Sequence, residues 1–234
     1  MIRLEGAGVT VAGFSQGRPV DHTILHPITL DLDTPRTAVI GANGSGKSTL
    51  LRLLNGLTLP SQGRVLVDDL DTARDGAAVR RRVGFVFTEP LAQLVMSTPA
   101  DDVELSLRRR HRDRSQRRAL ARHLLTEQGL ADLADSSVHD LSGGERQLVA
   151  LTSVLAVEPS VIVADEPTTL LDLRNRNRVQ TALLALPQQL VVATHDLEFA
   201  AACDRAIVVD EGRVVADDLP GRAIDSYRRL MGAT

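Results

Sequence analysis

Short apolar runs, separated by polar and glycine-containing stretches, set the rhythm of the chain. Thr37-Ala38-Val39-Ile40, Val161-Ile162-Val163-Ala164, Leu190-Val191-Val192-Ala193 and Ala206-Ile207-Val208-Val209 read as short strands of the buried type. Val9-Thr10-Val11 and Ile28-Thr29-Leu30-Asp31-Leu32 alternate with polar residues and predict half-buried strands. Further strands are expected at Arg64–Asp68 and Val83–Phe87. A helix is predicted to start near Gly46 and to carry Leu50, Leu51, Leu53 and Leu54. Asp101–Arg110 and Arg114–Gln128 read as helices, and Leu148, Leu151 and Leu155 share one helical face. Alternating strands and helices predict an α/β fold with a parallel sheet covered by helices. The stretch 88–153 reads as a helical subdomain inserted into that sheet domain, and 1–234 as a single domain, with no internal repeat or Pro/Gly linker dividing it.

Composition sharpens this picture in a few places. At 234 residues and 43% apolar, the chain has ample core material for a globular domain. A net charge of −3 gives no general pull towards nucleic acid. The longest apolar runs are strand-sized, far short of the roughly 20 residues that span a bilayer, and the N-terminus lacks the apolar stretch of a signal peptide. A membrane role therefore has to come through a partner. Cys203, the sole cysteine, excludes an internal disulfide and is compatible with a reducing cytosol. Of the 27 lysines and arginines, only Lys47 is lysine. Arginine serves everywhere else, so the one compact ammonium stands out as a phosphate-pocket residue.

That lysine lies in Gly41-Ala42-Asn43-Gly44-Ser45-Gly46-Lys47-Ser48-Thr49, which matches the phosphate-binding loop pattern and follows a strand and opens a helix. Glycines let the backbone turn its N–H groups inward, and the helix N-terminus adds partial positive charge. Lys47 is expected on the outer phosphates of ATP and the Ser48 hydroxyl on Mg²⁺. The strand Val161–Ala164 runs into Asp165-Glu166. A strand end in such a sheet opens on the ligand crevice. Asp165 is expected to hold Mg²⁺, directly or through water. Glu166 is expected to point the other way along the strand and to orient the attacking water as general base. Leu141-Ser142-Gly143-Gly144-Glu145-Arg146-Gln147 opens another predicted helix, with a serine cap and two glycines exposing backbone N–H groups as a second anion-binding element.

With all three strings in this order, the sequence resembles the ABC ATPase family over nearly its whole length. Gly41–Thr49 looks like the Walker A loop, Leu141–Gln147 like the signature, and Val161–Glu166 like the Walker B strand. Thr168-Thr169-Leu170-Leu171-Asp172 resembles the D-loop and Thr194-His195-Asp196 the switch-histidine segment. The resemblance implies a P-loop NTPase fold: a RecA-like parallel sheet core, an N-terminal antiparallel β subdomain and an inserted α-helical subdomain. It implies ATP hydrolysis with Mg²⁺, with Glu166 as base and His195 on the γ-phosphate. It further implies a head-to-tail dimer, homo- or heteromeric, in which Ser142, Gly143, Gly144, Glu145 and Asp172 face the partner's nucleotide. Phe14 is the candidate for stacking on adenine.

Val83-Gly84-Phe85-Val86-Phe87-Thr88-Glu89-Pro90, continued by Gln93-Leu94-Val95-Met96 and Asp101-Asp102-Val103-Glu104, resembles the loop of energy-coupling-factor importers for vitamins and metal ions, as does Leu54-Asn55-Gly56-Leu57. That branch implies a transmembrane coupling subunit, a vitamin-binding membrane protein and a place on the cytoplasmic face of the membrane. Thr88 stands where the family's Mg²⁺-contacting glutamine is usual, so a metal contact there has to run through a shorter hydroxyl, by way of a water. Thr169-Leu170 likewise replaces small residues. The Thr88 form and the short length favour the biotin-type importers. The 68 residues after Glu166 leave no room for a further regulatory domain.

Two other readings stand beside this one. One is another ABC transporter branch. The other is a clamp on nucleic acid or the ribosome, for which Arg108-Arg109-Arg110-His111-Arg112 and Arg117-Arg118 are a candidate patch. Lys47 and Ser142 are 95 positions apart, too close for a long coiled-coil arm, and Asp113 interrupts the basic run. A solvated or partner-facing helix is the expectation there, and no nucleic acid is expected.

Overall fold

The computed structural model describes residues 1–15 and 18–232, but not the side chains of residues 14–15 and 18–19. In chain order the elements are β1 (Ile2–Ser15), β2 (Arg18–Leu32), β3 (Arg36–Ile40), α1 (Lys47–Leu54), β4 (Gln62–Val67), β5 (Leu70–Asp71), α2 (Gly76–Arg82) and β6 (Val83–Val86). Then come α3 (Pro99–Leu107), α4 (Arg114–Glu127), α5 (Gly143–Leu155), β7 (Val161–Asp165), α6 (Leu173–Leu184) and β8 (Gln189–Ala193). The chain continues with α7 (Leu197–Ala201), β9 (Arg205–Asp210), β10 (Arg213–Asp218) and α8 (Pro220–Leu230), and short 3₁₀ turns lie at Pro90–Ala92 and Ala131–Leu133.

Two sheets form. One has the order β2-β1-β4-β5 and is antiparallel; the other has the order β10-β9-β3-β8-β7-β6. In the second, β9, β3, β8, β7 and β6 run parallel and β10 closes the edge antiparallel. The continuous apolar runs follow from burial on both faces. Ile162, Ala164, Leu190, Val192, Ala206 and Val208 pack into the layer of α3–α8. Their neighbours Val161, Val163, Val191, Ala193, Ile207 and Val209 pack with α1 and the antiparallel sheet. This is the P-loop NTPase architecture, with its antiparallel β subdomain formed by the N-terminal hairpin and β4–β5.

The hairpin is longer than the residue pattern predicts. β1 and β2 pair from Ile2↔Leu32 out to Ser15↔Arg18, but the register shifts between Leu4, Ala7, Val9 and Thr10. Each bulge breaks the two-residue alternation. Pro27 falls between the pairs Ala7↔Ile28 and Val9↔Leu25, where no ladder N–H is needed. Between β6 and β7 the described residues hold only helices and turns: first the 3₁₀ turn Pro90–Ala92, then α3, which Thr98 caps and Pro99 opens. Leu148, Val149 and Leu151 of α5 belong to the same core as the sheet. Cys203 is buried in that core, and burial pushes its thiol up to about 12. No helix among the described residues is long and apolar enough to cross a membrane.

Candidate functional site

β3 delivers the chain at Ile40 into the loop 41–46, and α1 begins at Lys47. Gly46 caps α1 in the left-handed region at φ 107°, with no side-chain cap hydrogen bond among the described residues. A Cβ at Gly46 would lie 2.8 Å from Leu25 Cδ2, so a side chain is excluded there twice over. Gly212 N–H donates to Ser45 O at 2.9 Å, which fastens the loop to the β9–β10 turn. Ser45 is buried, and its hydroxyl has no partner among the described residues. Lys47 is buried too, and its Nζ donates to Gly41 O at 2.9 Å and Ala42 O at 3.0 Å. The exposed backbone of Asn43 and Gly44 completes the rim of the loop.

β7 brings the acidic pair to this loop. Ser48 Oγ donates to Asp165 Oδ1 at 2.9 Å. Burial pushes the Asp165 carboxyl up; the Ser48 bond and the charges of Arg52 and Lys47 oppose that, and Glu166 reinforces it. A buried carboxylate beside a hydroxyl and an anion cradle offers hard oxygen donors, and the nearby charges of Arg52 and Lys47 leave its burial uncompensated. That set fits Mg²⁺, which takes few protein oxygens and fills its shell from phosphate and water.

Glu166 is not oriented by strand alternation, as the residue pattern suggests. It lies one residue past β7 at φ 47°, while its N–H still donates to Ala193 O at 3.0 Å. The left-handed backbone turns its side chain across the strand ends. There Oε1 lies 3.9 Å from Lys47 Nζ, and Oε2 lies 2.8 Å from His195 Nδ1, 3.3 Å from His195 N and 3.1 Å from Thr169 Oγ1. Lys47, Ser48, Asp165, Glu166 and His195 thus form one cluster. Thr169 joins it, though the residue pattern marks that position only as an unusual D-loop residue.

The signature residues make a second centre. Ser142 caps α5, and its N–H and Oγ both lie 2.8 Å from Glu145 Oε2, a reciprocal capping box. The Ser142 hydroxyl, then its backbone N–H, hold the Glu145 carboxyl below its usual range. Among the described residues, the side-chain hydrogen bonds of Ser142 run to its own helix start and not to the Lys47 cluster. Ser142 and Gly143 are exposed. Gly144 is buried, and a Cβ there would lie 2.5 Å from Asn175 Cγ. Asn175 in turn bonds Asp172, the cap of α6, through its N–H and Nδ2, each at 2.9 Å. The contact of Asn175 with Gly144 was not legible, because only the packing of α6 on α5 reveals it.

Thr88 Oγ1 donates to Asp165 O at 2.7 Å, beside the metal-type donors. Gln93 is spent elsewhere: Oε1 accepts from Phe87 N at 3.3 Å and Nε2 donates to Ala150 O at 3.2 Å. Phe14, the adenine candidate, has its side chain outside the described residues. Part of the basic run is paired within the chain, while Arg108, Arg109 and Arg112 are exposed. Arg110 reaches Val157 O and Glu158, Arg117 reaches Glu104 and two backbone carbonyls, and Arg118 and Arg122 both meet Asp135.

A strand–loop–helix anion cradle with one buried ammonium, facing two acidic groups at the next strand ends, defines a P-loop nucleotide hydrolase. Residues 25–169 match the model of the ABC transporter family. A putative ABC transporter ATP-binding protein of Bartonella quintana is 48% identical over 90% of this chain and 93% of its own. The biotin transport ATP-binding protein BioM of Rhizobium etli is 42% identical over 98% of both chains. A dimeric ATP-binding cassette solved in a post-hydrolysis state with ADP and Pi superposes with a TM-score of 0.83 at 28% identity, covering 94% of this chain and 99% of that one. The chain belongs to the ABC transporter ATP-binding family and is an ABC-type ATPase.

Proposed function

We propose that this ATPase powers an energy-coupling-factor importer at the cytoplasmic face of the membrane, with biotin as cargo. The observation that carries this reading is the 42% identity to the biotin-transport relative over 98% of both chains. The resemblance of 83–104 to the loops of that importer branch supports it. The partners are then a second ATPase chain, a transmembrane coupling subunit and a vitamin-binding membrane protein.

In this reading the loop 41–49 binds the phosphates through backbone N–H groups and Lys47, and Phe14 stacks on adenine. Ser48 and Asp165 hold Mg²⁺, with Thr88 beside them. When bound, that ion neutralises phosphate charge. Glu166 takes the proton of the attacking water, and His195 contacts the γ-phosphate. Ser142, Gly143, Gly144, Glu145 and Asp172 meet the nucleotide of the partner chain, which places the exposed N-terminus of α5 against an anion. ATP binding closes the pair and hydrolysis opens it.

The test is co-purification of the tagged chain from membranes, joined to uptake of labelled biotin. The expected result is a small integral membrane coupling protein plus a separate biotin-binding membrane protein, with uptake abolished by Glu166→Gln. A soluble or lipid-anchored receptor in the complex would overturn the importer branch. Salt-sensitive binding to DNA or RNA would overturn transport itself.

A further inference from the structure

We infer that Thr169 is a positioning residue for hydrolysis: its hydroxyl fixes the Glu166 carboxylate so that Oε1, not Oε2, faces the phosphate cradle. The inference rests on Glu166 being the base, as proposed above.

The local chain explains why Thr169 can do this. Thr169 N–H donates to Glu166 O at 3.2 Å, closing a tight turn over Glu166-Pro167-Thr168-Thr169. Pro167 fixes one backbone angle of that turn, and the buried Thr168 anchors its middle. The turn brings Thr169 Oγ1 to 3.1 Å from Glu166 Oε2. A β-branched side chain has few χ1 choices, so the hydroxyl is a pre-set donor.

The two oxygens of Glu166 are not equivalent. Oε2 gathers Thr169 Oγ1, His195 Nδ1 and His195 N, while among the described residues Oε1 meets only the Lys47 ammonium, at 3.9 Å. A carboxylate tied on one oxygen presents the other. Lys47 belongs to the phosphate loop, so the presented oxygen is the one beside the γ-phosphate position. The His195 imidazole is a loose tether, because its side chain is 60% exposed, against 14% for Glu166. When His195 turns to the γ-phosphate, as proposed above, Thr169 is the side-chain donor left on Oε2. The water oxygen then bonds to the γ-phosphorus as the bridging P–O bond breaks, its proton passes to Oε1 and on to solvent, and ADP and phosphate leave. A small residue without a hydroxyl at 169 cannot hold Glu166 this way.

The experiment compares Thr169→Val, Thr169→Ala and Thr169→Ser in the full chain with MgATP. Losing a donor to an ionised group, and with it the base's alignment, is expected to lower kcat about tenfold in the Val and Ala variants. KM for ATP stays at its wild-type value, Tm falls by only about 2–4 °C in the Val and Ala variants through the lost bond, and Ser restores most of kcat. In a Glu166→Gln background, single-turnover rates with and without Thr169→Val are expected to coincide, since Thr169 acts through Glu166. Wild-type kcat in Thr169→Val and Thr169→Ala, a raised KM with kcat unchanged, or a further loss in the Glu166→Gln background would each overturn the inference. Near-normal turnover by Glu166→Gln alone would overturn the base assignment and this inference with it. A dead Glu166→Gln beside a fully active Thr169→Val would overturn the role of Thr169 only.

Discussion

Ser48 Oγ donates to Asp165 Oδ1 at 2.9 Å, joining the first turn of α1 to the last residue of β7 across 117 positions of sequence. Asp165 is 3% exposed, and burial raises its carboxyl. A carboxyl raised on folding binds protons better in the folded chain. Its contribution to stability is therefore lost as pH rises from the unfolded value through the folded one, and at neutral pH its ionised burial is a cost. Asp165→Asn is expected to raise the Tm of the nucleotide-free chain at pH 7 and to erase the extra stabilisation that Mg²⁺ adds to ATP. Thermal melting with ATP, with and without Mg²⁺, checks both. A variant that keeps the full Mg²⁺ increment would remove Asp165 from the metal site.

Gly144→Ala places a methyl group against Asn175, whose side chain would be 2.5 Å away. Asn175 holds Asp172, so the clash is passed to the D-loop. Overpacking of this kind costs about 1–3 kcal/mol. Urea denaturation is expected to show that loss, and Asn175→Ala added to Gly144→Ala is expected to recover most of it. No recovery in the double variant would mean that the glycine is needed for something other than room beside α6.

The anion loop, the acidic strand end and the capped signature helix were legible because each needs particular residue types at fixed offsets. Lys47, Ser48, Asp165, Glu166 and His195 indeed converge. The five parallel strands were legible because burial on both faces leaves unbroken apolar runs. The long N-terminal hairpin was not, since bulges between Leu4 and Thr10 scramble its alternation. Nor was α2, whose only buried residue is Val79 and which therefore shows no apolar stripe. The contacts of Thr169 and Asn175 are made by a turn and a helix crossing, and no local pattern encodes those. Strand alternation predicts the wrong direction for Glu166, because periodicity says nothing of a left-handed residue at a strand end.

Thr88 Oγ1 donates to Asp165 O at 2.7 Å, so its proton is used to clamp the chain after β6 to the end of β7. Removing one such bond costs about 1 kcal/mol. Thr88→Val is expected to lose that much stability in urea and to leave the Mg²⁺ concentration for half-maximal hydrolysis unchanged. A several-fold rise in that concentration would show Thr88 acting on the ion.

Leu170 sits at φ 70° with 85% of its surface exposed. A leucine in the left-handed region costs about 1–2 kcal/mol, and here little burial offsets it. Glycine removes that strain but gives back about 0.5–1 kcal/mol through the freer unfolded chain. Leu170→Gly is therefore expected to stabilise the nucleotide-free chain by up to about 1 kcal/mol in urea denaturation. Asn tolerates this backbone and is expected to do nearly as well, whereas Leu170→Val, branched at Cβ, is expected to destabilise. Reversal of that order, with leucine the most stable of the four, would mean that its side chain, and not the backbone, decides the stability of the D-loop.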